Sequence, residues 1–157
     1  MTEHTRIADQ IRRAANGNAW HGPALAEVLA RVSAEQAASH PLSGAHSIWE
    51  LVGHITTWTD AVRRRFEGDN YEPMEAENFP AVVDRSPGAW KAACDSALAA
   101  HEALARAVER RPGADLDAPV FERPYTVYGM LHGAAQHTLY HAGQIALIRR
   151  ALGAPVA

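Results

Sequence analysis

Apolar residues recur along this chain at three- and four-residue intervals, the helical period, and no segment shows the strict alternation of a half-buried strand. Thr5 to Ala15 carries Ile7 and Ile11 at helical spacing and is broken by Asn16-Gly17-Asn18. A second helix is expected to start at Pro23, since proline suits the first helical position, and to carry Leu25, Val28, Leu29 and Val32. Ser33-Ala34-Glu35-Gln36 predicts a capped short turn of helix ahead of Pro41. Ser47-Ile48-Trp49-Glu50 has the capping-box pattern, a serine bonding forward and a glutamate reaching back to the free amides. Behind it Leu51, His54/Ile55, Trp58, Val62 and Phe66 share one face until Gly68-Asp69-Asn70.

Tyr71 to Arg85, with Pro73 and Pro80, reads as a long irregular connection of the kind that is functional or wraps across a bundle. Ser86-Pro87 opens the next helix, through Trp90, Cys94, Ala97/Leu98, Leu104 and Val108, which should stop before Pro112-Gly113. After a second irregular stretch, Ala114 to Pro124, Thr126 is expected to cap the last helix. Its inner face reads Val127, Met130/Leu131, Ala134, His137/Thr138, His141, Ile145, Ile148 and Leu152, and Gly153 and Pro155 should end it. Four main helices with apolar stripes predict an all-α, four-helix bundle over residues 1–157 as a single domain, with long crossover connections.

Composition narrows the function classes. With 15 Lys plus Arg against 18 Asp plus Glu and no basic run, the footprint of a nucleic-acid binder is missing. A 47% hydrophobic and 21% charged chain is globular in type, not disordered. No apolar run approaches the roughly 20 residues of a membrane span, and Thr2 to Arg13 is too polar for a signal peptide, so no membrane partner is expected. The single cysteine, Cys94, excludes an internal disulfide and a cysteine-based zinc cage and suits a reducing, cytoplasmic setting. Nine histidines are the unusual count, and their positions carry the functional reading.

His137 and His141 lie four residues apart, one turn along one helical face, and can bind one metal ion. The spacing alone is a weak signal. Its place on the apolar seam between Ala134 and Ile145 strengthens it, because two adjacent buried cations would be costly there. His54, inward on the stripe of Leu51, Ile55 and Trp58, is the natural third ligand, although taken singly it reads more readily as a hydrogen-bonded core histidine. Three histidines from two facing helices would leave coordination positions open, as catalytic sites do.

The segments Trp49-Glu50-Leu51-Val52-Gly53-His54-Ile55 and His137-Thr138-Leu139-Tyr140-His141-Ala142-Gly143-Gln144-Ile145 resemble the DinB-like (YfiT-like) metalloenzyme superfamily. Trp20-His21-Gly22-Pro23 and the approach from Pro41 to Ser47 are similar to its members as well. The resemblance implies a four-helix bundle with a three-histidine divalent site at His54, His137 and His141, holding zinc or nickel, and a homodimer. Members with an activity are similar to thiol-dependent S-transferases and isomerases that use bacillithiol, mycothiol or glutathione. The expected function is therefore metal-dependent transfer or isomerisation of a small-molecule substrate, the metal holding an external low-molecular-weight thiol as thiolate. The alternatives are a hydrolase in which the metal activates water and a non-catalytic metal- or ligand-binding stress-response module.

Further candidates have a plain reading beside the functional one. Gln144, on the ligand face, could orient water or substrate, or satisfy a neighbouring backbone. Tyr140 could donate its hydroxyl, or make a bundle or dimer contact; Glu50 could act as a base, though its capping role accounts for it. His21 could face the mouth of the site, or serve only the start of a helix. His101 reads as a solvated or interface histidine ahead of a pocket residue, and His46 and His132 as structural or exposed. Cys94 reads as a buried thiol, the tryptophans as packing, and Arg63-Arg64-Arg65 as a solvated face complementing a helix dipole.

Overall fold

A computed structural model describes residues 1–154. Its helices are α1 (Glu3–Asn16), α2 (Leu25–Leu29), α3 (Ala34–Ala38), α4 (Ile48–Glu67), α5 (Glu75–Asn78), α6 (Pro87–Glu109) and α7 (Val127–Ala151). The four long ones form the bundle, and the described residues contain no strand beyond an isolated bridge between Pro119 and Thr126. No helix among them is long and apolar enough to cross a membrane.

The expected start signals operate. Ser47 and Glu50 form a reciprocal capping box on α4, with the Glu50 carboxylate accepting from the Ser47 amide at 2.7 Å. Ser86 caps α6 with Pro87 in its first turn, and the Thr126 hydroxyl accepts from the Gly129 amide to start α7. Ser33 and Gln36 likewise box the short α3. Several boundaries differ from expectation: α2 ends at Leu29, ahead of Val32, and α7 at Ala151, ahead of Leu152. Capped by Thr2, α1 starts at Glu3, ahead of Thr5. Pro23 stays outside α2, because the Glu27 carboxylate accepts from the Ala24 amide at 2.7 Å and sets the helix start there. Arg149 of α7 donates to the carbonyl of Val28 at 2.8 Å, supplying a partner at the end of this one-turn helix. Pro155, expected to end α7, lies outside the described residues.

Both α6 and α7 pack against α1 and α4, so α1 faces α4 and α6 faces α7 across the diagonals. Two buried clusters fix the helix directions. One joins Ile48 to Ile55 of α4, Trp90 and Ala97 of α6, Ala142 to Ile148 of α7, and the short α2 and α3. The other joins Val62 and Phe66, Leu104 to Val108, Met130 to Ala134, and Ile7 and Ile11 of α1. The N-terminal halves of α4 and α6 thus share one end of the bundle with the C-terminal half of α7. Consequently α4 and α6 run parallel, and the connection between them must return along the length of the bundle, the crossover expected from Tyr71 to Arg85. Within it the chain makes only the four-residue α5. Burying each large side chain of these clusters stabilises by about 1.5–3 kcal/mol, and the Trp90 indole also donates to the carbonyl of Val32 at 2.7 Å.

One charged residue departs from the surface reading. Arg65 is buried, not solvated: its guanidinium donates to the Tyr71 carbonyl at 2.9 Å and to Glu72 at 2.6 Å, binding the start of the crossover to α4.

Candidate metal centre

His54 stands two turns into α4, and His137 and His141 one turn apart on α7, at the level between the two apolar clusters. The His54 and His137 Nε2 atoms are 3.0 Å apart, and those of His141 and His137 are 3.1 Å apart. All three ligand atoms lie within 4.8 Å of one another. Nitrogens bound tetrahedrally to one zinc at ~2.0–2.1 Å stand roughly 3.3 Å apart, so the cluster has the size of one coordination sphere.

The outer nitrogens decide which way the lone pairs point. His54 Nδ1 lies 2.7 Å from the carbonyl of Asn78, which can only accept, so the proton is on Nδ1 and Nε2 carries a lone pair. His141 Nδ1 is 2.8 Å from Gln144 Oε1, the same arrangement. A proton on His137 Nε2 could serve one of these lone pairs and would leave the other facing it unpaired. A cation at the centre satisfies all three at once. The donor set therefore fits a divalent metal.

Burial holds the imidazoles neutral. The His137 pKa is pushed down to about 4 by burial, and next by the neighbouring His141 and His54. Burial also lowers His54 and His141, against the raising effect of their bonds to Asn78 and Gln144. Neutral imidazole is the form that binds metal.

The crossover builds one wall of the site. Phe79 stacks on His54 at 4.2 Å between ring centroids and on His46 at 3.7 Å, each pair within 7° of parallel. Asn78 Oδ1 accepts from the Trp58 indole at 2.8 Å. Gly53 makes room for this segment, since a Cβ there would stand 2.7 Å from Pro80 Cγ. Asn78 and Phe79 escaped the sequence reading because an irregular segment offers no period to place a side chain; its two prolines were the one available signal.

The other candidates separate. Gln144 does not aim at the centre of the cluster: its Oε1 accepts from His141 Nδ1. Tyr140 is exposed, its ring edge against His141 with centroids 5.0 Å apart. Glu50 is occupied by its capping role and by His40 Nε2 at 3.0 Å. His21 is exposed in the turn before α2. His101, expected to be solvated or at an interface, is instead 1% exposed. Its Nδ1 donates to the Ala97 carbonyl at 2.7 Å, and its Nε2 lies 2.8 Å from the hydroxyl of Thr138, the residue after His137. These partners make a buried histidine tolerable and tie α6 to α7 beneath the site. The Cys94 thiol is pushed up to about 11 by burial, far from a nucleophile at neutral pH.

A cavity of about 330 Å³ runs from His137 toward the start of α7, between that helix and α4.

Compared with known proteins, a family model described as the DinB superfamily matches residues 19–145, a span that takes in all three histidines and leaves out α1. No curated protein and no solved structure matches.

Proposed function

The chain belongs to the DinB superfamily, and we propose that it is a divalent-metal-dependent enzyme whose ligands are His54, His137 and His141, acting as a thiol-dependent S-transferase or isomerase on a small molecule. The observation that supports the metal most strongly is the convergence of three Nε2 atoms while Asn78 and Gln144 hold the opposite nitrogens of two rings. Zinc and nickel are the metals that the family resemblance implies, within the wider set of zinc, nickel, copper and iron that imidazoles suit. Such an ion would supply Lewis acidity, favouring the thiolate form of an external thiol at neutral pH. The chain's own residues bind and orient. Asn78 and Gln144 keep the ligand tautomers, Phe79 and Trp58 screen one side from water, and the cavity beside His137 offers room for a substrate. The thiol is external in this reading because the one protein thiol, Cys94, is held protonated.

Residues 1–157 are read as one domain working as a homodimer in the cytoplasm. The dimer reading draws on α7, whose exposed Gln136, Tyr140, Gly143 and Leu147 recur at intervals of four, three and four, the spacing of a helix–helix seam.

The test begins with metal analysis of the purified protein, with about one equivalent per chain expected. The loaded protein is then assayed against electrophiles with and without bacillithiol, mycothiol or glutathione. Thiol-dependent turnover that disappears in His54→Ala is the expected result. Turnover of ester or amide probes without thiol would replace it with a hydrolase. No turnover on either panel, with metal bound, would leave a binding module.

A further inference from the structure

The stripe of α4 that begins at His54 continues through Trp58 and Val62 to Arg65, and the facing ridge of α7 runs from His137 through Gly133 and Gly129 toward Tyr125. From His137 to Gly129 the helix rises about 12 Å, at ~1.5 Å per residue. The cavity between these ridges therefore has two chemically different ends. One is His137, a member of the histidine cluster, the other the buried guanidinium of Arg65 beside the Tyr125 phenol. Its walls are otherwise chiefly apolar, with Met130 and Ala134 beside Trp58 and Val62. At about 330 Å³ it has roughly twice the ~150 Å³ that encloses a benzene molecule, enough for a ring and a short chain.

Charge distinguishes the far end. Arg65 and Arg123 share the single carboxylate of Glu72, at 2.6 and 2.8 Å, which leaves one positive charge in excess within this cluster. The Glu72 side chain is 60% exposed, whereas that of Arg65 is 4% exposed. Arg65 spends Nε on the Tyr71 carbonyl and Nη2 on Glu72. Among the described residues its Nη1 meets the Tyr125 hydroxyl at 3.5 Å, too long for a good hydrogen bond, while the guanidinium carbon stands 5.4 Å from the centre of the Trp58 ring, and all three residues line the cavity. Donor capacity is thus left facing a largely apolar slot, where a charge-assisted bond to a carboxylate is about twice as strong as a neutral one.

We propose that this slot binds a small carboxylate with an apolar, ring-sized body, the carboxylate against Arg65 and Tyr125 and the opposite end against His137. The orientation rests on the reading of the three histidines as the reactive metal centre. It makes the substrate class an arylalkyl or similarly apolar carboxylic acid that carries its reacting group away from the carboxylate. Gly133 has a role in it: a Cβ there would meet open space, so a larger side chain would enter the slot without disturbing the helix.

The test is ligand-observed NMR on the metal-loaded protein with phenylbutyrate, and with phenylbutanol as its neutral match. The acid is expected to bind about tenfold more tightly than the alcohol, the factor that a single charge-assisted bond supplies. Gly133→Leu should abolish binding of both, and Tyr125→Phe should weaken the acid several-fold while leaving the alcohol unchanged. Circular dichroism and metal content, read on the same samples, should match the wild type in both variants. Equal affinity for acid and alcohol, or unchanged binding in Gly133→Leu or Tyr125→Phe, overturns the proposal. Full metal occupancy with no selectivity for the acid overturns the slot alone. Selective acid binding by protein that never takes up metal overturns the metal reading and the orientation built on it.

Discussion

His54 donates its Nδ1 proton to the backbone carbonyl of Asn78 at 2.7 Å, so a histidine of the α4 stripe takes its tautomer and ring orientation from the crossover that follows the same helix. The histidine cluster and the crossover are one unit. Phe79 continues the link by stacking on the same ring, and Pro80 seats against Gly53 one residue before it.

Gly53→Ala should therefore act on the metal site without touching a ligand. A new Cβ 2.7 Å from Pro80 Cγ must push the segment from Asn78 to Pro80 outward and lengthen the bond to His54. Metal affinity is expected to fall about tenfold, as when partners of ligating histidines are lost, measured by competition with a chromophoric chelator. Unchanged affinity would show that the crossover does not orient His54.

Gln144→Leu removes the acceptor that keeps the proton of His141 on Nδ1. The expected loss is about 10–100-fold in metal affinity, with Gln144→Glu recovering most of it because a carboxylate accepts in the same place. If Gln144→Leu binds metal as the wild type does, the amide serves only packing.

Acidification should weaken the metal-free fold in a defined window. Free imidazole titrates near ~6.5, whereas burial pushes His137 down to about 4 and lowers His54, His141 and His101. Below about pH 6.5 the unfolded chain takes up protons that the folded one refuses, so stability falls as the pH drops toward ~4 and is level above the unfolded pKa. Urea denaturation of chelator-treated protein at several pH values measures this. Bound metal should oppose the loss, since it favours the neutral ligands of the folded state.

Trp90→Phe keeps most of the buried ring but leaves the carbonyl of Val32 without its 2.7 Å donor. A cost of about 1–3 kcal/mol in denaturant unfolding is expected, with metal stoichiometry unchanged because Trp90 lies in the cluster beyond the site.

Leu147→Glu places a charge in the exposed seam of α7. A dimer formed there should dissociate in light-scattering measurements of mass, and metal should be retained. A protein that is monomeric before the substitution would refute the dimer reading directly.

The bundle could be read from the sequence because its signals are local. Ser47 and Glu50, Ser86 and Pro87, and Thr126 act within one helical turn, and the apolar stripes behind them need only a repeat of three and four residues. The pair His137 and His141 was legible for the same reason: four residues on a helix bring two side chains to one face wherever the helix packs.

Other features depended on partners distant in the chain. His101 and Arg65 carry polarity that usually means exposure, and only contacts with Thr138 and with the returning segment at Tyr71 and Glu72 make their burial tolerable. Pro23 satisfies a local rule for a helix start, yet the Glu27 carboxylate places that start two residues later. The sequence by itself thus determined four long helices and the faces they bury. Tertiary structure decided that His54 meets His137 and His141, that Asn78 holds its proton, and that the slot between α4 and α7 ends on Arg65. Period and capping act within one turn, whereas a binding site is an agreement among side chains that only the folded chain brings within hydrogen-bonding distance.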